Sequence, residues 1–141
     1  MNYHFRVHKE NKGYWAECCE LRGCVTQADS PEELRAACGE ALNLYLEEPD
    51  NSGIIFPLPD EGLNRNRKLL QVKAAPEIAV AVLLRNFRLK AKMTQKQAAE
   101  MLGMKNIYSY QRLERKSNPT LNILDKIHAV FPGVKLDYLF Q

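Results

Sequence analysis

MTQKQAAEMLGMKNIYSYQRLERKSNP, residues 93–119, holds two short helical patterns on either side of a glycine. Thr94 can cap a helix, because its hydroxyl accepts an amide that the first turn leaves unpaired. The helix that follows, Gln95 to Leu102, is short and Ala-rich, and Gly103 ends it by tolerating a left-handed backbone. A second helix is predicted from about Asn106 to Arg115. In it Ile107, Tyr110 and Leu113 recur every third residue and share one buried face. Tyr108, Ser109, Gln111 and Arg112 fall on the other face. Two helices joined by a Gly turn, the second with a polar outer face, form a helix-turn-helix. The alternative at this point is an ordinary helical hairpin whose polar face is merely solvated.

Charge favours the first reading. Between Arg85 and Lys116 there are nine Lys or Arg and two acids, Glu100 and Glu114. Such a surplus suits a phosphate surface. TQKQAAEMLG, RLER, NPTLNIL and VKLDYLF, in that order, resemble the five-helix DNA-binding domain of phage repressors and their bacterial relatives, over roughly residues 78–140. The stretch between Gly103 and Leu113 runs one residue longer than the family pattern, and Pro132 interrupts the join to the last helix. The resemblance implies that Gln95 contacts DNA backbone or a base edge. Asn106, Tyr108, Ser109, Gln111 and Arg112 carry groups that suit major-groove edges. Arg88, Lys96, Lys105 and Lys116 are the expected phosphate holders.

The chain of 141 residues has room for one medium domain or two small ones, and its charge divides it. Residues 1–73 carry nine basic and twelve acidic groups, whereas 74–141 carry eleven basic and five acidic. An acidic front and a basic back point to different partners. No run of about 18 apolar residues could cross a bilayer, and a polar, strand-like segment follows Met1 in place of a signal peptide, so a cytoplasmic location is expected.

All four cysteines, Cys18, Cys19, Cys24 and Cys38, lie in the front. Neighbours Cys18 and Cys19 would point to opposite faces of a strand, which suits a shared metal poorly even with His4 and His8 nearby. Reduced, partly buried thiols are expected, with no metal and no cofactor.

In the front, Asn2 to His8 alternates polar residues with Tyr3, Phe5 and Val7, the pattern of a half-buried strand. A polar turn at Lys9–Gly13 leads to a second strand, Tyr14 to Leu21, and Arg22-Gly23 to a third, Cys24 to Gln27. Ser30-Pro31-Glu32-Glu33 opens a helix, with Ser30 as cap, Pro31 in the first turn and Glu33 closing a capping box. Its apolar stripe runs through Leu34, Ala37 or Cys38, Ala41 and Leu44 or Tyr45, and it ends near Glu48-Pro49. Residues 49–66 read as loop, and Arg67 to Lys73 as a fourth strand with Leu70 and Val72 inward. The fold expected is α+β: a small βββαβ domain over 1–73, then an all-α, five-helix helix-turn-helix domain over 74–141.

Chemistry is sparse in the front. Glu17 and Glu20 would face opposite sides, no nucleophile stands beside a base, and there is no Gly-rich phosphate loop. No enzymatic activity is expected. GYWAECCELRGCVTQADSPEELRAACGEALNLYLE resembles the front domain of HicB-type antitoxins, through Gly13 to Ala16, Leu21 to Cys24, Thr26, Ser30 to Glu33 and Glu47. Cys19 stands where the family often has Pro, and Ala28 where it often has Gly. The resemblance implies a partial ribonuclease-H-like sheet without catalytic carboxylates.

Together the two resemblances imply the antitoxin of a type II toxin–antitoxin pair, covering a HicA-type messenger-RNA endonuclease and repressing its own operon. A stand-alone regulator with a ligand-sensing or dimerising front domain is the alternative. Since a nuclease must be basic, the acids Glu32, Glu33, Glu40, Glu47, Glu48 and Asp50 are expected at the toxin surface. Asp60 and Glu61 add charge in the loop, and Tyr14 and Trp15 a possible anchor. Paired half-sites on DNA require a homodimer or homotetramer. The run from Ile78 to Leu84 is more apolar than a one-sided stripe needs, so its excess face is either an interface between copies or closes onto the front domain.

Overall fold

The computed structural model describes residues 1–47 and 53–141. They form two compact units: residues 1–46 with 57–74, and residues 75–141 with the stretch that begins at Glu47 and ends at Phe56. Phe56, expected with the front domain, therefore belongs to the helical unit.

The first unit has the βββαβ order. Strands β1 (Asn2–Glu10), β2 (Gly13–Cys18) and β3 (Val25–Ala28) precede helix α1 (Pro31–Leu46), and β4 (Leu69–Lys73) completes the sheet. The strands are antiparallel in the order β3-β2-β1-β4. Register follows the alternation read from sequence, because a slip by one residue would turn every apolar side chain to the wrong face. Phe5 lies opposite both Cys18 and Leu70, and Tyr3 opposite Val72. Tyr3, Phe5, Ala16, Cys18 and Val72 are buried, as are Leu34, Cys38, Leu42 and Leu46 from α1. Val7, on the same parity, is 38% exposed at the far end of the strand.

The start of α1 departs in one detail from the expected box. Ser30 Oγ accepts from the Glu33 amide at 3.2 Å, while no return bond from the Glu33 side chain is formed among the described residues. The helix ends at Leu46, and Glu48-Pro49, its expected exit, lie outside the described residues.

The sheet's other face is not left open at His4. Although its strand parity points it outward, His4 is fully buried. Its Nδ1 lies 2.7 Å from Glu20 Oε2 and its Nε2 2.8 Å from Asn64 Oδ1. Glu20 also accepts from the backbone amides of His4 and Asp60. Asn64 belongs to a short 3-10 helix, Glu61–Arg65, in a stretch that sequence periodicity reads as plain loop. His4 and Glu20 thus pin that loop across the end of the sheet. The cysteines are all free: Cys18, Cys24 and Cys38 are buried, and Cys19 is exposed. Burial pushes Cys18 up to about 12 and Cys24 and Cys38 to about 11.

The second unit contains α2 (Pro76–Lys90), α3 (Gln95–Met101), α4 (Ile107–Leu113) and α5 (Leu121–Val130). The expected fifth helix is a 3-10 turn, Leu136–Phe140, which packs on α2. Every residue from Ile78 to Leu84 is buried within the single chain, so that run presents no exposed interface. Among the described residues no helix is long and apolar enough to cross a membrane.

Gly13 sits at a close approach in the first unit. Its φ is +144°, and a Cβ there would sit 2.9 Å from the Ala28 carbonyl oxygen across the β2–β3 pair. Gly13→Ala is expected to lower the stability of the first unit by about 1–3 kcal/mol, through backbone strain and loss of that close approach. Urea unfolding followed by Trp15 fluorescence checks this, and an unchanged midpoint would contradict it.

Candidate nucleic-acid interface

The α3–turn–α4 segment is built as its residues dictate. Thr94 Oγ1 accepts from the Gln97 amide at 3.1 Å, and Gln97 Oε1 accepts from the Thr94 amide at 2.8 Å, which completes a reciprocal capping box. At the other end Gly103 has φ +67°. The Gly103 amide donates to Glu100 and the Met104 amide to Ala99, both at 2.9 Å, the bonding pattern of a Schellman turn. Lys126 Nζ from α5 lies 3.0 Å from where a Gly103 Cβ would stand.

Asn106 then caps α4, its Oδ1 accepting from the Ser109 amide at 2.9 Å and the Ser109 hydroxyl at 3.1 Å. Tyr110 and Leu113 are buried and Ile107 half-buried, the face read from their spacing. Tyr110 lies beside Arg88 and Glu114, and burial raises its phenol pKa above the ordinary tyrosine range, so it stays neutral.

Beneath this motif lies an ion pair that sequence reasoning missed. Arg88 Nε donates to Glu114 Oε1 at 2.7 Å and to Oε2 at 3.1 Å, and Arg88 Nη1 donates to the Met93 carbonyl at 3.0 Å. Arg88 is 6% exposed and Glu114 5%. Arg88, expected to hold a phosphate, is therefore a core residue whose guanidinium is committed to a buried carboxylate. A charge this deep is tolerated only when paired and hydrogen-bonded. The available signal was Glu114 itself, one of two acids among nine basic residues.

The pair continues outward. Gln95 Nε2 donates to Glu114 Oε2 at 3.2 Å, and Gln111 Nε2 donates to Gln95 Oε1 at 3.0 Å. Gln95 and Gln111 are both half-buried, and they carry the network from the core to the α4 surface. Around them Lys96, Lys105, Asn106 and Arg112 are exposed, Tyr108 is 70% exposed and Ser109 is half-buried. Lys116 lies 3.9 Å from Glu47 Oε1, with 60% of its side chain exposed. An ion pair so solvated contributes little and leaves the lysine available to another anion.

The residues expected at a protein partner divide between two faces of the sheet. Tyr14 follows the parity of Ala16 and lies on the α1 side, where it lines an open groove of about 530 Å³ with Glu10, Lys12, Gln27, Asp29 and Glu33. Trp15 lies on the opposite side, stacked on His8 with ring centroids 4.0 Å apart and planes at 17°. His8 Nε2 lies 3.2 Å from Glu17 Oε1. Tyr14 and Trp15 are therefore not a single anchor, because successive strand residues point oppositely. Glu32, Glu33, Glu40 and Glu47 are exposed on or just after α1. Glu48 and Asp50 lie outside the described residues. No group of three or more His, Cys, Asp or Glu suited to a metal occurs among the described residues.

This geometry defines a helix-turn-helix DNA-binding unit. Residues 84–139 match the helix-turn-helix family model, which supports a DNA-binding transcription regulator. That match begins after the front unit and does not include it. No curated protein was found to match the chain.

Removing one partner of the buried pair has a defined cost. Glu114→Ala leaves Arg88 charged and unpaired and is expected to destabilise the second unit by about 3–5 kcal/mol. The double replacement Arg88→Met with Glu114→Leu is expected to cost less than Glu114→Ala alone, since it strands no charge. Thermal unfolding of the three proteins distinguishes these outcomes. A single replacement costing under about 1 kcal/mol would mean that the pair is effectively solvated.

Proposed function

We propose that this chain is the antitoxin of a type II toxin–antitoxin pair, whose helical unit binds the operator of its own operon and whose front unit neutralises a HicA-type messenger-RNA endonuclease. The observation that carries the DNA half is Gln111 on α4, its amide held by Gln95, with Tyr108 and Arg112 exposed alongside. A carboxamide fixed in orientation by a neighbour can offer its remaining donor and acceptor to an adenine edge. Asn106 and Ser109 add polar groups where α4 begins. Lys96, Lys105 and Lys116 supply charge for phosphates, which fix register without reading sequence.

Gln111→Ala is expected to cost about 1–3 kcal/mol on the operator and little on scrambled DNA. Lys105→Ala should weaken both and flatten the dependence of affinity on salt. Anisotropy titrations with the region upstream of the gene, set against a scrambled duplex, read both effects. Equal affinity of the unaltered chain for the two duplexes would overturn the reading. In this reading the chain acts in the cytoplasm as a homodimer or homotetramer, each copy covering one half-site.

The toxin half is supported by the HicB-like order of motifs and by the βββαβ order of the elements. These suit a partial ribonuclease-H-like sheet that serves as a binding module rather than an enzyme and needs no cofactor. A basic nuclease would meet acid at Glu32, Glu33 and Glu40 on the α1 side, with Tyr14 in the same groove as Glu33, whereas Glu47 groups with the helical unit. Trp15 and its His8 partner would serve only a partner that also reaches the opposite face. The second reading, a stand-alone regulator, shares the DNA half and differs in what the front unit meets. Residues 1–73 expressed alone should rescue growth from a basic toxin encoded by the neighbouring gene, and residues 74–141 should not. Rescue by the back half alone would reverse the assignment.

A further inference from the structure

We infer that Phe56, in the segment between α1 and β4, is a positioning residue for the DNA-reading helix α4, acting through Arg85 and Glu114. The inference rests on the reading of α4 proposed above, and its geometry lies wholly within the second unit. Thirty positions separate Phe56 from Asn86, yet their amides pair in both directions. The Phe56 amide donates to Asn86 Oδ1 at 3.1 Å, and Asn86 Nδ2 donates to the Phe56 carbonyl at 2.8 Å. This two-bond pairing fixes Phe56 in register on α2. Phe56 is 4% exposed and Asn86 4%, so neither amide can turn to water instead.

The ring has a second task. The Arg85 guanidinium lies over it, 5.4 Å from the centroid, within the range of a cation–π contact. Arg85 Nη1 donates to the Glu114 carbonyl at 3.3 Å. Glu114 is the residue on which α4 ends. It is thus gripped twice: Arg85 holds its backbone, and Arg88 holds its carboxylate. From that carboxylate the bonds run through Gln95 to Gln111. A helix of seven residues cannot hold itself together by its own hydrogen bonds, so α4 depends on such outside grips. Without the Phe56 ring, water reaches Arg85 and its hold on the Glu114 carbonyl loosens. The reading side chain is then displaced without being touched.

The test uses the full chain carrying Phe56→Ala or Phe56→Leu, the second of which keeps an apolar side chain but removes the ring. Hydrogen exchange is followed in Tyr110–Glu114 and, as an internal control, in Ile123–Val130. In Phe56→Ala the first segment is expected to exchange about tenfold faster while the second stays within about twofold, as local opening demands. Phe56→Leu should fall between that variant and the unaltered chain, and it alone decides the matter if Phe56→Ala does not fold. Affinity for the upstream duplex should drop about tenfold in Phe56→Ala, with affinity for the scrambled duplex unchanged. Unchanged exchange in Tyr110–Glu114, or equal acceleration in both segments, overturns the inference. Failure of the unaltered chain to prefer its upstream duplex overturns only the DNA reading, since the exchange result needs no DNA.

Discussion

The buried pair of Arg88 and Glu114 is the constraint on which the second unit depends. A carboxylate at 5% exposure would be expelled or neutralised without its guanidinium, and Arg88 at 6% has no solvent route of its own. Because Arg88 belongs to α2 and Glu114 ends α4, the pair joins the first helix of the unit to the end of the third. Spare acceptor capacity on Glu114 is taken up by Gln95, so the start of α3 is tied to the same point. Three helices are thereby held at one carboxylate. Replacement of the pair by apolar residues could leave the unit folded, but Gln95 would then lose the partner that orients it toward Gln111.

The first unit applies the same economy to a sheet. Its core face is closed by α1, and at one end of the opposite face His4 is covered by the loop that contains Asn64. Glu20 serves His4, the His4 amide and the Asp60 amide together, so one carboxylate secures the loop to the strand. What remains outward is the His8–Trp15 stack with Glu17 and Arg6 beside it, a mixed surface whose ion pair is solvated. The acidic side chains of α1 face solvent on the other side of the sheet. A partner surface therefore has two chemically different faces to choose between.

Much of this was legible in the residues because it is local. Thr94 and Gln97 cap α3, Gly103 closes it, and the spacing of Ile107, Tyr110 and Leu113 sets the inward face of α4. Ser30 and Pro31 set the start of α1 in the same way. What escaped the sequence was long-range pairing of polar groups. An arginine in a basic stretch has the same signature whether it meets phosphate or a buried glutamate, so Arg88 was legible only as charge. His4 sits at an outward strand position, and nothing in its neighbours announces Asn64, sixty positions away. The 3-10 segments at 61–65 and 136–140 are too short to show a period. Asn86 inside α2 gives no sequence sign that it pairs with Phe56, thirty positions earlier.

The interleaving of the two units has a consequence for inheritance. Phe56 belongs to the helical unit although it precedes the last strand of the sheet unit. A recombination event that breaks the gene once, near codon 74, would therefore transmit the helices without Phe56 and leave the carboxamide of Asn86 facing an empty slot. The sheet unit would in turn carry Phe56 away from its partner. A buried carboxamide left in that way would lose both of its hydrogen bonds at once. A break at that codon therefore divides a hydrogen-bonded pair rather than two self-sufficient halves.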